Sequence, residues 1–163
     1  MLDKYEQDTR ITMIAGFNNE EITPDVPYDY FFTSTFSIWG WASWKRVIDQ
    51  WDEHYTFLED KFNMQQLEQL IKERKFRKDF IYMCHRHKEN NKAYYETIFH
   101  ASMLFNSGLA IVPTRNMINN LGVTADSTQF AGSVHTLPKG YGRIVTMKRY
   151  ELEFPLTHPN YDN

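Results

Sequence analysis

The chain has one cysteine, Cys84, in 163 residues, which excludes an internal disulfide and fits a reducing compartment. It has no apolar run near the roughly 18 to 20 residues that span a bilayer as a helix. The opening Met1-Leu2-Asp3-Lys4-Tyr5-Glu6 is polar and acidic, unlike the basic and then apolar start of a secretory signal. These absences predict a cytoplasmic location, within which a peripheral association with the inner membrane face would leave no mark. A large charge of either sign is lacking too. The 18 Lys and Arg against 21 Asp and Glu leave a formal charge of −3, so there is no general attraction to nucleic acid or to an anionic membrane. No P-loop, GxGxxG run, CxxC pair or Ser-His-Asp order occurs, and the chemistries tied to those patterns are unsupported.

What is abundant is apolar and aromatic surface. With 42% apolar and 16% aromatic residues the chain can bury one sizeable core, which predicts a single domain over residues 1–163 and argues against disorder. Three of the four tryptophans fall within six residues, in Ile38-Trp39-Gly40-Trp41-Ala42-Ser43-Trp44-Lys45-Arg46. Indoles supply large contact area at low entropic cost and carry one N–H, so the cluster reads either as a core wedge or as a stacking platform. Gly40, with no Cβ, permits a tight turn or the close approach of a ligand to the backbone between two indoles. The flat C–H faces of sugar rings suit such a platform, as do nucleotide bases.

The remaining pattern is that of an α/β chain. Leu2 to Gln7 reads as the end of a helix, and Ile11-Thr12-Met13-Ile14-Ala15 as a strand, closed by Gly16-Phe17-Asn18-Asn19. Asn18 stands where open α/β sheets place ligand contacts, or forms the turn. After a Pro-bearing loop, Tyr28 to Thr35 is β-prone. From Ser43, a plausible N-cap, Trp44, Val47, Ile48 and Trp51 share a helical face. Phe62–Lys75 and Lys78–Lys88 read as helices, and Lys72 to Lys92 carries an excess of Lys and Arg that reads as a solvated face or as one that meets phosphates or lipid headgroups. Cys84-His85-Arg86-His87 invites a metal reading: His85 and His87 point about 200° apart on a helix and cannot share an ion, while Cys84 with His87 or His87 with Asn91 could, and no second ligand pair follows. Tyr94 to Phe105 is a helix with Tyr95, Ile98, Phe99, Ser102 and Phe105 on its apolar face. Gly108 is expected to end it as a C′ residue. Leu109-Ala110-Ile111-Val112-Pro113 is a buried strand, Arg143–Met147 is strand-like, and Phe154-Pro155-Leu156 is expected to dock on the body.

The tryptophan run resembles the WGWA-[ST]-W-[KR]-R signature of bacterial nucleotide-diphosphosugar glycosyltransferases of the GT-A, family-2-like type, which build surface polysaccharides. Leu2 to Asn18 resembles the helix, turn and strand that precede that signature, and Gly108-Leu109-Ala110-Ile111-Val112-Pro113 with Asn119-Asn120-Leu121-Gly122 resembles its GL-x-I-x-P strand and N-x-G turn. The resemblance implies a partial GT-A-like fold, a short mixed sheet packed with several helices. No DxD or EDD motif stands at a suitable place, so the expectation is the acceptor-side half of such an enzyme, as a truncated chain, a split gene product or a remnant, lacking the nucleotide-binding half. The implied function is transfer of a sugar from a nucleotide-sugar donor to a polysaccharide or lipid-linked acceptor, with a divalent Mn or Mg ion in the complete enzyme. The alternative is a non-catalytic carbohydrate-binding or assembly module.

The residue assignments follow from the same resemblance. Trp39, Gly40, Trp41, Trp44 and Asn18 would bind substrate. Tyr94 to Phe105 is similar to a W-D-x-Q-W stretch, which makes Glu96 the general base and Tyr95 a contact, with Ile98 where Gln is usual. Glu96 is equally a first-turn acid favoured by the helix dipole. Asp126-Ser127-Thr128 resembles D-A-T-H with Gln129 in place of His, and His135 is then the nearest substitute as a metal ligand, or a plain loop histidine. The unpaired edge left by an absent half predicts homo-oligomerisation.

Overall fold

The structure is a computed structural model and describes residues 1–119, 143 and 146–159. It is mixed α/β, as the pattern predicts: a four-stranded mixed sheet and several helices. The chain divides into two compact units, one built from Met1–Thr12 and Ser43–Leu109, the other from Met13–Ala42 and Ala110–Asn163. The first holds the helices and the second most of the sheet. Among the described residues no helix is long and apolar enough to cross a membrane.

The sheet comprises β1 (Ile11–Ala15), β2 (Tyr30–Thr33), β3 (Trp41–Ala42) and β4 (Leu109–Pro113), in the order β2-β4-β1-β3. β1 and β4 have the expected bounds because both are apolar, β-branched and closed by a breaker. β2 pairs antiparallel with β4, Tyr30 opposite Pro113 and Thr33 opposite Ala110. β3 pairs antiparallel with β1, Ala15 opposite Trp41. Pro113, the last residue of β4, has no N–H to donate, and its carbonyl accepts from the Asn18 side chain at 2.8 Å.

The helical unit contains α1 (Lys45–Ile48), α2 (Lys61–Leu70), α3 (Arg74–Glu89) and α4 (Tyr95–Phe105). Its core gathers Tyr55, Phe57, Leu67, Ile71, Phe80, Cys84, Ile98 and Ala101. Two carboxylates set the helix starts. Asp60 accepts from the Asn63 amide at 2.9 Å to open α2, and Glu73 accepts from the amides of Lys75 and Phe76 to open α3. Hydrogen bonding to its charged form lowers the Glu73 carboxyl. α2 therefore ends at Leu70 and α3 begins at Arg74, where periodicity alone places the break after Lys75.

Several local expectations need correction. Ser43 does not cap α1; Trp44 occupies the cap position, and the Ser43 hydroxyl donates to the Thr12 carbonyl at 2.6 Å. α1 stops after four residues, and the opening segment is a 3₁₀ turn over Asp3–Tyr5. α4 ends in a Schellman motif in which Ser107, at φ 51°, is the left-handed residue. Gly108 is the following one and bonds back to the Met103 carbonyl at 2.8 Å. Glycine is needed there because a Cβ would lie 2.5 Å from Thr12 Cγ2. On α4, Ile98, Phe99 and Ser102 are buried as expected, but Tyr95 is 54% exposed. Phe154 is 77% exposed and does not dock. The tail is instead held at Thr157, whose amide donates to Asp29, and at His158, whose Nδ1 lies 2.8 Å from the Tyr30 hydroxyl.

Candidate functional site

The expected substrate contacts Asn18, Trp39, Gly40 and Trp41 belong to the sheet unit, and Trp44, Tyr95 and Glu96 to the helical unit. His135, Gln129 and the Asn120-Leu121-Gly122 turn lie outside the described residues.

In the sheet unit the fold itself makes heavy use of these groups. Asn18 is 2% exposed. Its side-chain N–H groups donate to the Pro113 carbonyl at 2.8 Å and to Thr23 Oγ1 at 3.0 Å, while its oxygen accepts from the Glu20 amide at 2.8 Å. That is the turn-forming role, extended into a buried lock. Sequence reasoning passed over its partner, Asn116, which is fully buried. Asn116 Oδ1 accepts from the Asn18 amide at 3.2 Å, and its Nδ2 donates to the carbonyls of Ile118 and Lys148. Gly40 adopts φ 57°, and a Cβ on it would come within 2.7 Å of Ile118 Cδ1. Its carbonyl accepts from the Gly16 amide at 2.7 Å. The absence of a Cβ thus serves a left-handed turn against Ile118. Trp39 is half-buried and meets Phe17 edge to face at 5.1 Å, and Trp41 is half-buried within β3. Neither lies in a sealed interior. A cleft of about 390 Å³ in this unit, lined by Thr23, Pro24, Pro27, Asp29, Arg115 and Glu153 among others, includes none of the expected residues.

Trp44 and Arg46 work as a clip in the helical unit. The Trp44 indole N–H donates to the Leu2 carbonyl at 3.3 Å, and the Arg46 guanidinium sits 4.6 Å from that ring. Arg46 donates to the carbonyls of Ile11 at 2.8 Å, Asp8 at 3.0 Å, Glu6 at 3.2 Å and Tyr5 at 3.4 Å. Trp44 and Arg46 of the signature therefore fasten residues 2–11, where the resemblance assigns Trp44 to a substrate.

The chemically richest cluster of the helical unit surrounds Thr97. Its hydroxyl lies 2.8 Å from the Tyr55 hydroxyl and 2.9 Å from His87 Nδ1. The Tyr94 ring packs on His87 at 4.2 Å. Tyr55 takes a left-handed backbone at φ 52°, a conformation that costs a non-glycine residue on the order of 1 kcal/mol or more. Burial raises the Tyr55 phenol, and the Thr97 bond pulls it back in part. Burial likewise lowers the His87 imidazole, while the Glu96 carboxylate favours its charged form. Half-buried Glu96, in the first turn of α4, thus stands within electrostatic reach of both groups. Next to the cluster is a cleft of about 400 Å³ whose lining includes His54, Tyr55, His87, Lys88, Asn91 and Lys92. Lys88 is paired with Glu59 at 2.7 Å. No short motif could have revealed this cluster, since Tyr55 and Thr97 are 42 residues apart.

Metal chemistry finds no donor set here. Among the described residues no three His, Cys, Asp or Glu are placed to share an ion. Cys84 is sealed in the core, where burial pushes its thiol up to about 12. His85 is exposed on α3, and His87 is engaged with Thr97.

Compared with protein-family models, with curated proteins and with solved structures, the chain finds no match in any of the three.

Proposed function

We propose that this chain is the acceptor-side half of a GT-A, family-2-like glycosyltransferase that moves a sugar from a nucleotide-sugar donor to a cell-surface polysaccharide or lipid-linked acceptor. The observation that carries the reading is the placement of Glu96. It is solvent-accessible in part, sits in the first turn of α4 next to Thr97, and acts electrostatically on His87 and Tyr55, which line an open cleft that Glu96 itself does not line. In an inverting transfer its carboxylate takes the proton of the acceptor hydroxyl as that oxygen bonds to the anomeric carbon. The bond from that carbon to the nucleoside diphosphate breaks, and the diphosphate leaves with the electron pair. In the same helical unit, the partly exposed ring of Tyr95 supplies a face for a sugar ring. Among the described residues no three His, Cys, Asp or Glu are placed to share a divalent ion.

A second reading, a carbohydrate-binding or assembly module without chemistry, draws support from how many signature groups the fold consumes: Asn18 in its lock, Gly40 in its turn, Trp44 and Arg46 in their clip. Calorimetric titration with UDP- and GDP-sugars in the presence of Mn²⁺, and separately with oligosaccharides, distinguishes the two. Transfer that falls by about 10² to 10⁴-fold in Glu96→Gln, with acceptor binding retained, supports the enzyme. Oligosaccharide binding alone supports the module, and no binding of either ligand overturns both. A cytoplasmic setting and self-association belong to the same proposal; gel filtration showing only monomer counts against the latter.

A further inference from the structure

The outer face of α3 is unlike the rest of the chain. Residues 72–92 hold eight Lys and Arg against the three acids Glu73, Asp79 and Glu89, a balance of +5 inside a chain of −3. Lys75, Lys78, Tyr82 and Arg86 stand at i, i+3, i+7 and i+11, which is one line along a helix, with exposed Asp79 and Glu89 beside it, so the line itself sets three cations against two acids. All four are exposed, Tyr82 at 60%. Arg86 donates to the Tyr82 hydroxyl at 3.3 Å and lies 6.0 Å from its ring, so cation and aromatic form one projecting group. Along the flank of the line run Phe76 and Met83, 42% and 41% exposed and seven residues apart. Among the described residues, Lys75, Lys78 and Arg86 make no ion pair within 4 Å.

A solvated face needs the charges but not the apolar fringe, and a phosphodiester chain is met by cations without Met83 or Phe76. A helix that lies on an anionic bilayer needs both together: cations at the phosphates, and an aromatic with small apolar neighbours at the headgroup and acyl boundary. Tyr suits that boundary because its ring is apolar and its hydroxyl stays wet. We infer that the face of α3 formed by Lys75, Lys78, Tyr82, Met83 and Arg86 docks on a membrane surface rich in anionic lipid, with the helix axis in the plane of the surface. This inference goes beyond sugar transfer and stands or falls without it.

Cosedimentation of the full chain with vesicles tests it, comparing phosphatidylcholine alone with phosphatidylcholine carrying about 30 mol% phosphatidylglycerol. The wild type is expected to bind the anionic vesicles only and to be released by about 0.5 M salt. Lys75→Ala with Lys78→Ala and Arg86→Ala should weaken partitioning by at least about tenfold, since each cation near such a surface contributes about a fivefold factor. Tyr82→Ala should weaken it severalfold while leaving the salt dependence in place. All four positions are exposed, so the thermal midpoints should match the wild type, which separates lost docking from lost folding. Equal binding by the wild type and the triple variant overturns the inference. So does binding that ignores lipid charge, or a duplex RNA that displaces the protein from the vesicles.

Discussion

His100 offers the sharpest quantitative handle on this fold. Its ring lies 5.3 Å from that of Phe80 and 5.5 Å from that of Phe76, and burial pushes its imidazole down to about 4 from an ordinary 6.5. Between those two values the unfolded chain binds a proton that the folded chain refuses, so stability is full above about pH 6.5 and falls as pH drops towards 4. The whole shift corresponds to about 3 kcal/mol, and about 2 kcal/mol of it is lost by pH 5. Urea titrations at pH 7, 6 and 5 read this directly as a falling midpoint, on the order of 1 M by pH 5. Carboxylates and His87, whose imidazole is also lowered by burial, add slopes of their own. The informative quantity is therefore the difference between the wild type and His100→Phe, a ring that suits the same aromatic setting. That difference should shrink or change in the variant's favour by about 2 kcal/mol from pH 7 to pH 5. Parallel curves for the two proteins would refute the argument.

Two further perturbations test the roles given to the tryptophan signature. Arg46→Ala removes the donor shared by four carbonyls, and a loss of about 2 to 3 kcal/mol is expected, measurable as a thermal midpoint lowered by several degrees; an unchanged midpoint would show that the clip is idle. Gly40→Ala combines a left-handed backbone with a contact of 2.7 Å to Ile118, so about 2 to 3 kcal/mol should be lost, and adding Ile118→Val should recover part of it. Failure of the second change to help would place the cost in the backbone alone.

How far the sequence foretold this molecule depends on how local each determinant is. Ile11–Ala15 and Leu109–Pro113 announce themselves because apolar β-branched runs end at Gly16 and Pro113, and the buried stripe of α4 follows from its spacing. The start of α3 is not legible in the pattern because Glu73 is an uncommon cap, and its capping outweighs the charge run behind it. Ser107 takes the left-handed position although the adjacent Gly108 is the statistical favourite for it; the glycine is there to let Thr12 approach. Among candidate site residues, Glu96 could be singled out, but the Tyr55, His87 and Thr97 group could not. Its members come from three separate segments, and each alone looks like an ordinary polar residue beside an apolar stripe. The indole run was legible as important, yet whether its polar groups face a ligand or the chain's own carbonyls is decided by partners up to 42 residues away.

Asn116 carries a kinetic corollary. Through its side chain and backbone it joins Asn18 and Glu21 near one end of the chain to Lys148 and Tyr150 near the other, and the Lys148 amide reaches Glu21 across 127 residues. During synthesis the first two strands leave the ribosome long before the segment that completes their lock, so the sheet unit matures late, after the helices of residues 45–105 can already have formed from local contacts. Shortening the chain ahead of Lys148 should therefore leave a nascent product with helical signal but an open, aggregation-prone sheet, the state that chaperones hold during translation.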